Sequence, residues 1–290
     1  MNKKIKTILG VALTFILSLV LVACGGSEDS STEADGSYSP ENPVDVSIGI
    51  VGDSDGPGNA QWNIVVDQLA EEGINIELVS LSDYNTPNTS LVAGDLDLNA
   101  FQTKIFLEEF NEASGEEVTA IGDTTFNPLG IYSNNYTDAS EISGGDQISI
   151  PNDPSNGGRA LVLLQTAGLI ELDPEAGLTP TVDDITANPL NLDIVAIEAN
   201  QTARSLEDSA AAVINNDIAT SAGLIPTEDA IFLEAVDENT EPYVNVIASR
   251  PEDTENPVYL RIVEAYQTQE VADAITESTK GSSIPVWTEE

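Results

Sequence analysis

The sequence predicts an α/β protein whose folded part contains two sheets. Segments of alternating or β-branched apolar residues recur along the chain, and segments with helical spacing separate them. The first strand, helix and strand follow one another at the spacing of a βαβ unit, which predicts a parallel sheet. These patterns run from about Val44 to the end, roughly 245 residues, a length that accommodates two lobes.

The chain begins with the pattern of a secretory signal. Three positive charges come first, at Lys3, Lys4 and Lys6. An apolar run over 8–22 follows, shorter than the roughly 20 residues that a membrane-spanning helix needs. Leu-Val-Ala-Cys at 21–24 is typical of a bacterial lipoprotein box, in which a small residue precedes the lipid-bearing cysteine. We therefore predict a signal peptide over 1–23 and a lipid anchor on Cys24, at the extracytoplasmic face of the cell membrane. The alternative is a short transmembrane anchor with an incidental cysteine.

Residues 24–43 are predicted to form the lipidated cysteine and a flexible tether. Beyond Cys24 this segment is rich in Gly, Ser, Thr and acidic residues and has almost nothing apolar. Such a composition cannot bury enough surface to offset the entropy lost on ordering.

The charge balance excludes one class of partner. The chain has 50 acidic and 9 basic residues, and three of the nine lie in the signal peptide. Nucleic-acid binding is excluded because it requires a basic surface. A surface this negative repels itself unless salt screens it, which suggests the hypothesis of a saline or alkaline habitat.

The residue types also restrict catalysis. The chain has no histidine, and its single cysteine is assigned to lipid, so Ser-His-Asp and Cys-His arrangements and imidazole metal sites are excluded. No metal or cofactor motif is present, and neither is expected. Carboxylate-only chemistry, such as a glycosidase pair, remains open at this point.

The elements are predicted in chain order from their periodicity. Strands are predicted at 44–51, 74–79, 97–101, 118–121, 129–133, 147–150, 194–197 and 244–248. Helices are predicted at 60–72, 89–93, 104–113, 160–167 and 258–278, and residues 204–215 are predicted to hold a helix and a short strand.

The segment 151–159 predicts an anion-binding site. A strand ends there, an Asn-Gly-Gly turn is expected to expose backbone amides, and a helix begins with Arg159 in its first turn. A helix N-terminus favours an anion, and a guanidinium suits a carboxylate. The alternatives are that Arg159 pairs with a surface acid or that the segment is ordinary helix capping.

Two aromatic residues follow predicted strands. Tyr84 lies in the loop after the second strand and Phe101 at the end of the third. Aromatic residues at the carboxyl ends of strands commonly line ligand clefts in α/β folds. Core packing for Phe101 and a surface turn for Tyr84 are the alternatives.

Several segments together resemble the NlpA/MetQ family, the lipoprotein receptors of methionine ABC importers. The segments are SDYNTPNTSLVAGDLDLNAFQ at 82–102, PNDPSNGGRALVLLQTAGLIEL at 151–172, EANQTARSLEDSAAAVINNDIATSAGL at 198–224, ENTEPYVNVIASR at 238–250 and EAYQTQEV at 264–271. The resemblance covers almost the whole folded region in order. It implies a two-lobed periplasmic-binding-protein fold of type 2 that closes on an amino acid or short peptide.

The resemblance implies positions for the two crossover segments and hence for the lobes. The crossovers would lie near 126–129 and 223–230. Lobe 1 would then comprise 44–127 plus 230–290, and lobe 2 would comprise 128–229. The partners implied are an ABC permease and its ATPase, and no chemistry would occur on this chain.

The same resemblance implies a set of ligand-binding residues. Arg159 would bind the ligand's carboxylate, and two asparagines would hydrogen-bond the carboxylate or ammonium group. Two aromatic residues would form the apolar wall, and two further residues lie in matching motifs near the cleft. The implied ligand-binding residues are Arg159, Asn215, Asn245, Tyr84, Phe101, Thr103, Asn156 and Glu198.

Two positions depart from the family's pattern. Thr103 stands where the family usually has histidine, and Asn127-Pro128 stands where it has an aromatic residue and proline. Both positions would lie near the ligand's side chain, so an amino acid or very short peptide is predicted more firmly than methionine itself. An envelope hydrolase with paired carboxylates and a structural lipoprotein without a ligand are the competing hypotheses.

Overall fold

The structure, a computed structural model, describes residues 38–237 and 239–288. The predicted signal peptide, Cys24 and most of the predicted tether lie outside these residues. Within the described ranges, no helix combines the length and the apolar character needed to cross a bilayer.

Short strands alternate with helices along the described chain. The strands are β1 (Val44–Val51), β2 (Ile74–Leu81), β3 (Leu98–Thr103), β4 (Thr119–Phe126), β5 (Gly130–Tyr132), β6 (Gln147–Pro151), β7 (Glu171–Leu172), β8 (Ile185–Ala187), β9 (Asp193–Ile197), β10 (Ala211–Ile214), β11 (Phe232–Leu233), β12 (Val244–Ser249) and β13 (Ile284–Pro285). The α-helices are α1 (Trp62–Glu72), α2 (Thr86–Ala93), α3 (Lys104–Ser114), α4 (Pro154–Thr166), α5 (Thr202–Ser205), α6 (Asn216–Ser221), α7 (Pro226–Asp229), α8 (Pro257–Tyr266) and α9 (Gln269–Ser278).

The first sheet has the strand order β13-β4-β12-β3-β1-β2. Strands β1 and β2 pair in parallel from Val44 opposite Ile74 to Val51 opposite Leu81, as the predicted βαβ unit requires. Helix α1 buries Trp62, Val65 and Leu69 against this sheet. These elements were predictable because the apolar face of α1 leaves a helical pattern in the sequence and the strands leave an alternating one.

The second sheet has the order β11-β5-β10-β6-β9. Its central strand β10 is wholly buried, pairs in parallel with β6 and runs antiparallel to β5. Helix α4 covers the sheet with Ala160, Leu161 and Leu164. The α/β fold with two main sheets is therefore confirmed, and a small ladder of β7 and β8 accompanies them.

The chain crosses between the main sheets twice. Residues 127–129 lead from β4 to β5, and residues 234–243 lead from β11 to β12. Phe232 pairs with Ile131 in the second sheet, so the second crossover begins later than the expected 223–230. The two-residue strand β11 is too short to show a periodic pattern, which explains the difference.

The end of the predicted tether is folded. Ser39 and Asn42 exchange backbone hydrogen bonds of 3.1 and 2.9 Å, and Tyr38 packs on the apolar core between the first sheet and its helices. Gly73 has φ +90°, and a Cβ there would lie 2.2 Å from the carbonyl carbon of Ser39. The turn therefore needs glycine at the end of α1, and the folded part includes 38–43 instead of beginning at Val44.

Helix α4 begins earlier than predicted. Asp153 is its N-cap and accepts a hydrogen bond from the Asn156 backbone N–H, while Pro154 occupies the first turn. The Asn-Gly-Gly segment is helical and does not form a turn, which places Arg159 in the second turn. A Cβ on Gly158 would lie 2.6 Å from the Thr179 Cα, so this glycine allows close packing.

The C-terminal helix predicted over 258–278 is two helices. Helix α8 ends at Tyr266, and Thr268 caps α9 by accepting from the Val271 N–H at 3.3 Å. The Gln267 side chain donates to the Asp123 carbonyl at 2.8 Å, which holds the chain where it turns. This contact is 144 residues away in sequence, so helical periodicity alone could not show the break.

Candidate ligand-binding cleft

A cleft of about 370 Å³, here called the main cleft, lies where strands of both sheets end. Tyr84 follows β2, Thr103 ends β3, and Asn215 follows β10. Seven of the eight implied residues line it together: Tyr84, Phe101, Thr103, Asn156, Arg159, Asn215 and Asn245. Five further residues also line it: Gln102, Phe106, Asn127, Asn216 and Asp217. Convergence at the carboxyl ends of strands from both sheets makes this the natural binding position.

Arg159 is held rigidly at one side of the main cleft. Its side chain is 4% exposed, and its Nε and Nη2 donate to the Glu234 carboxylate at 2.9 and 2.5 Å. Nη2 also donates to the Asn127 carbonyl at 3.0 Å. The guanidinium carbon lies 4.5 Å from the ring centre of Tyr243 and 5.3 Å from that of Phe126.

Two of the interpretations that the sequence left open for Arg159, an ion pair with an acid and a role in binding a carboxylate, are compatible in this environment. Arg159 does pair with an acid, but Glu234 belongs to the second crossover and its side chain is only 17% exposed. The pair occupies Nε and Nη2, and among the described residues Nη1 has no hydrogen-bond partner. Nη1 is therefore available to a carboxylate in the cleft.

A chain of amides continues from Arg159's helix. Asn215 Nδ2 donates to Asn156 Oδ1 at 2.7 Å, and Asn156 Nδ2 donates to the Asp153 carboxylate at 2.9 Å. Burial raises the pKa of the Asp153 carboxyl, although hydrogen bonds from Asn156 and Ser155 oppose this effect. Asn215 Oδ1 is buried and has no partner in the described chain. A buried acceptor without a donor is costly, so a donor on a ligand would be favourable there.

Three aromatic rings stand together in the lining of the main cleft. The ring centres of Tyr84, Phe101 and Phe106 are 5.7 to 6.1 Å apart. Phe106 was missed by the sequence argument. Thr103 accepts from the Phe106 N–H at 3.3 Å as the N-cap of α3, so the available signal was the place of Phe106 in the first turn of the helix that directly follows β3.

The Tyr84 hydroxyl donates to Asp217 Oδ1 at 2.5 Å. Burial raises the pKa of Tyr84 well above its usual value, and the neighbouring Asp217 charge adds to this. Burial also raises the pKa of Asp217, with the Tyr84 hydrogen bond opposing it. Asp217 was not among the predicted residues, because one acid among 50 carries no signal by itself.

Of the two remaining implied residues, Asn245 lines the main cleft and Glu198 does not. Asn245 lies opposite Thr103 in the sheet and donates to the Phe101 carbonyl at 3.1 Å. Glu198 lines an adjoining cleft of about 330 Å³ that shares Tyr84 and Phe106 with the main cleft. Its carboxylate accepts from Asn152 at 2.9 Å and from Asn85 at 3.4 Å. The structure thus does not bring Glu198 to the main cleft.

Asn127 lines the main cleft and contacts Arg159. Its carbonyl accepts from Arg159, so the residue lies beside the guanidinium. Its side-chain Oδ1 is buried and has no partner among the described residues. Asn127 therefore offers a second unpartnered amide oxygen near Arg159.

Two α/β sheets, two crossovers and a cleft with a positioned arginine between them define a solute-binding protein of the periplasmic type. The match to the family model for the NlpA lipoprotein covers residues 47–287, and the chain belongs to the NlpA lipoprotein family. The family and the two-lobed fold predicted from the sequence are confirmed. This is a family of binding proteins and not of enzymes, so the envelope-hydrolase hypothesis is not favoured.

Relatives of known name and structure are similar over most of the chain. The D-methionine-binding lipoprotein MetQ of Escherichia coli K12 is 38% identical over 288 residues, covering 98% of this chain and 99% of that protein. The crystal structure of protein PG110 from Staphylococcus aureus is 42% identical with a TM-score of 0.80, over 83% of this chain and 94% of that one. A nutrient-binding protein from Burkholderia cenocepacia, bound to methionine, is 39% identical with a TM-score of 0.78, over 83% and 99%.

Proposed function

We propose that this protein captures an amino acid or short peptide, methionine or a related one, and delivers it to an ABC permease powered by a separate ATPase. The observation that carries the proposal is the Arg159 guanidinium, which lines the main cleft and whose Nη1 has no partner among the residues that the structure describes. The similarity to a MetQ lipoprotein and to a methionine-bound structure supports the same class of ligand.

The contacts of each residue suggest its role. Arg159 Nη1 donates to the ligand's carboxylate, while Asn215 Oδ1 and Asn245 accept from its ammonium group. Asn156 positions Asn215 through their 2.7 Å hydrogen bond. Phe101, Phe106 and Tyr84 surround the ligand side chain, with Thr103 at the edge of this wall. Glu198 acts outside the main cleft.

Closure of two lobes on the ligand is the signal that the permease would detect. We infer lobes of 44–127 plus the C-terminal part and of 128 to about 233, with the second boundary moved to the end of β11. Contacts already join the two parts: Asn200 Nδ2 donates to the Ser82 carbonyl at 2.9 Å, and Tyr84 donates to Asp217. A ligand shifts this equilibrium only through its differential affinity for the closed form.

The family is one of lipoproteins, and we propose that the lipid is carried by Cys24 on the extracytoplasmic face of the cell membrane. Acyl chains hold a protein at a bilayer by burying their methylene groups. The intact mass of the protein purified from membranes tests this, since an unmodified N-terminus would contradict it.

The first prediction concerns Arg159. L-methionine or a related ligand from a panel of L- and D-amino acids and methionyl dipeptides should raise the unfolding midpoint of the protein by several degrees, because a ligand stabilises the state that binds it. Arg159→Ala should abolish this rise, since the carboxylate loses its charge-assisted hydrogen bonds. A thermal-shift titration measures both.

The controls separate ligand binding from folding. Arg159→Ala leaves the Glu234 carboxylate without its partner, so the double change Arg159→Ala with Glu234→Gln should fold better and still fail to respond. Arg204→Ala removes an exposed arginine outside the cleft and should respond as the unaltered protein does. A full ligand response in both Arg159 variants would reject the assignment.

A further inference from the structure

The main cleft has an aromatic corner, defined here by Tyr84, Phe101, Phe106 and Asp217. The three ring centres lie 5.7 to 6.1 Å apart, and the Asp217 carboxylate stands 2.5 Å from the Tyr84 hydroxyl. All four residues line the cleft. Aromatic faces and a carboxylate attract the same kind of group, a cation.

The charges of the cleft are unevenly matched. Arg159 is paired through two nitrogens with Glu234, so its charge is balanced within the protein. Asp217, by contrast, is hydrogen-bonded only by neutral donors, the Tyr84 hydroxyl and backbone N–H groups at the start of α6, and no lysine or arginine of the described chain forms an ion pair with it. A half-buried carboxylate without a cation is unfavourable, because burial removes water without replacing it by a positive charge.

The ligand's own ammonium group has other acceptors. Asn127 Oδ1 and Asn215 Oδ1 are buried and unpartnered among the described residues. Both are connected to Arg159: Asn127 through its carbonyl, and Asn215 through Asn156 on the same helix. Since these two oxygens can accept from the ligand's ammonium group, the Asp217 carboxylate is left to receive a second positive group.

We propose that the aromatic corner binds a cationic group at the end of the ligand's side chain, so that this protein favours an amino acid or short peptide with a positively charged side chain. The inference rests on the proposed function, in which Arg159 holds the ligand's carboxylate. A thioether in the same position would leave Asp217 without a countercharge.

Lysine and norleucine form a matched pair for the test, because norleucine has the carbon chain of lysine without the terminal ammonium. Isothermal titration of the purified protein should give an affinity for L-lysine at least about tenfold higher than for L-norleucine, as expected of a desolvated charge pair. Asp217→Asn keeps the shape and removes the charge, and it should reduce this ratio to about one. Asp208→Asn, an exposed acid-to-amide change, should leave the ratio unaltered.

The outcomes are distinguishable. Binding of L-methionine or L-norleucine at least as tight as that of L-lysine by the unaltered protein would overturn the inference and leave the proposed function standing. An equal loss of lysine and norleucine affinity in Asp217→Asn would also overturn it, since Asp217 would then serve the backbone ammonium. No binding of these three or of any other amino acid or methionyl dipeptide of the panel would reject the proposed function together with the inference. The comparison of L-lysine with L-norleucine in the unaltered protein tests the inference even if the Asp217→Asn variant fails to fold.

Discussion

Arg159 is positioned by protein groups before it contacts any ligand. Glu234 binds two of its nitrogens, the Asn127 carbonyl binds Nη2 again, and Tyr243 and Phe126 lie near its guanidinium. Such a side chain loses little conformational freedom when a carboxylate arrives. Because Glu234 also accepts from the Leu129 N–H at 2.9 Å, the same ion pair joins both crossovers to helix α4.

The second prediction at the residue scale concerns Asp217 and pH. Burial raises the pKa of Asp217 above its ordinary value of 3.8. The folded protein therefore binds this proton more tightly than the unfolded chain, and the charged form costs stability once the pH exceeds the raised pKa. Without ligand, Asp217→Asn should raise the unfolding midpoint at neutral pH, and the gain should shrink as the pH falls through the raised pKa towards 3.8.

Thermal unfolding of both proteins across pH measures this difference. The comparison cancels the titration of the many other acids, which both proteins share. Asp208→Asn makes the same chemical change at an exposed position and should show no comparable trend. A gain from Asp217→Asn that is constant at all pH values would contradict the explanation.

At the scale of elements, the break between α8 and α9 shows how a helix end is set. Thr268 caps α9, its carbonyl accepts from the Trp287 indole at 3.2 Å, and Gln267 is bound to Asp123. Tyr266, the last residue of α8, packs its ring 4.8 Å from that of Trp62 and 5.4 Å from that of Trp287. These contacts fix the angle at which α9 meets the first sheet.

The prediction at this scale is that Thr268→Ala destabilises the protein by about 1 kcal/mol, because the Val271 N–H loses its side-chain acceptor. Thr276→Ala is the matched control. Thr276 lies exposed within α9 and bonds the Ala272 carbonyl, an arrangement that does little for a helix, so its change should stay within about 0.5 kcal/mol. Urea unfolding measures both values, and equal losses would show that the cap has no special role.

At the scale of the whole molecule, acidic residues far exceed the available cations. The chain has 50 acidic residues, while its described ion pairs involve Lys104, Arg159, Arg250, Arg261 and Lys280. Lys104, Arg250 and Arg261 each contact two acids, yet most carboxylates of the described residues remain without a cation. The folded state therefore brings like charges together.

The prediction at this scale is that sodium chloride raises the unfolding midpoint. Between about 0.01 and 1 M salt the Debye length falls from about 30 to about 3 Å, which removes most of the repulsion between surface carboxylates. The rise should be several degrees at neutral pH and much smaller near pH 4, where many carboxylates are protonated. Calorimetry across salt and pH measures it, and a midpoint that does not respond to salt would exclude charge repulsion as a determinant of stability.

Much of the fold and of the cleft was predictable because the signals are local. Apolar alternation in β1 and β2 and the helical stripe of α1 lie within a few residues of one another. Family motifs placed Arg159 and Asn215, which the structure brings into one cleft. Apolar periodicity shows which face of a helix or strand is buried. This signal lies within the element itself and does not depend on how the elements pack together.

The remaining features depend on residues that are far apart in sequence. Glu234 lies 75 residues from Arg159, and Asp217 lies 133 residues from Tyr84. The break at Gln267 and the pairing of β11 likewise depend on distant partners. The sequence by itself determined the α/β class, the family and most residues of the cleft, since these follow from local pattern. Only the tertiary structure decided which carboxylates face the cleft and which of them has a cation, because charge balance is a property of groups brought together by folding.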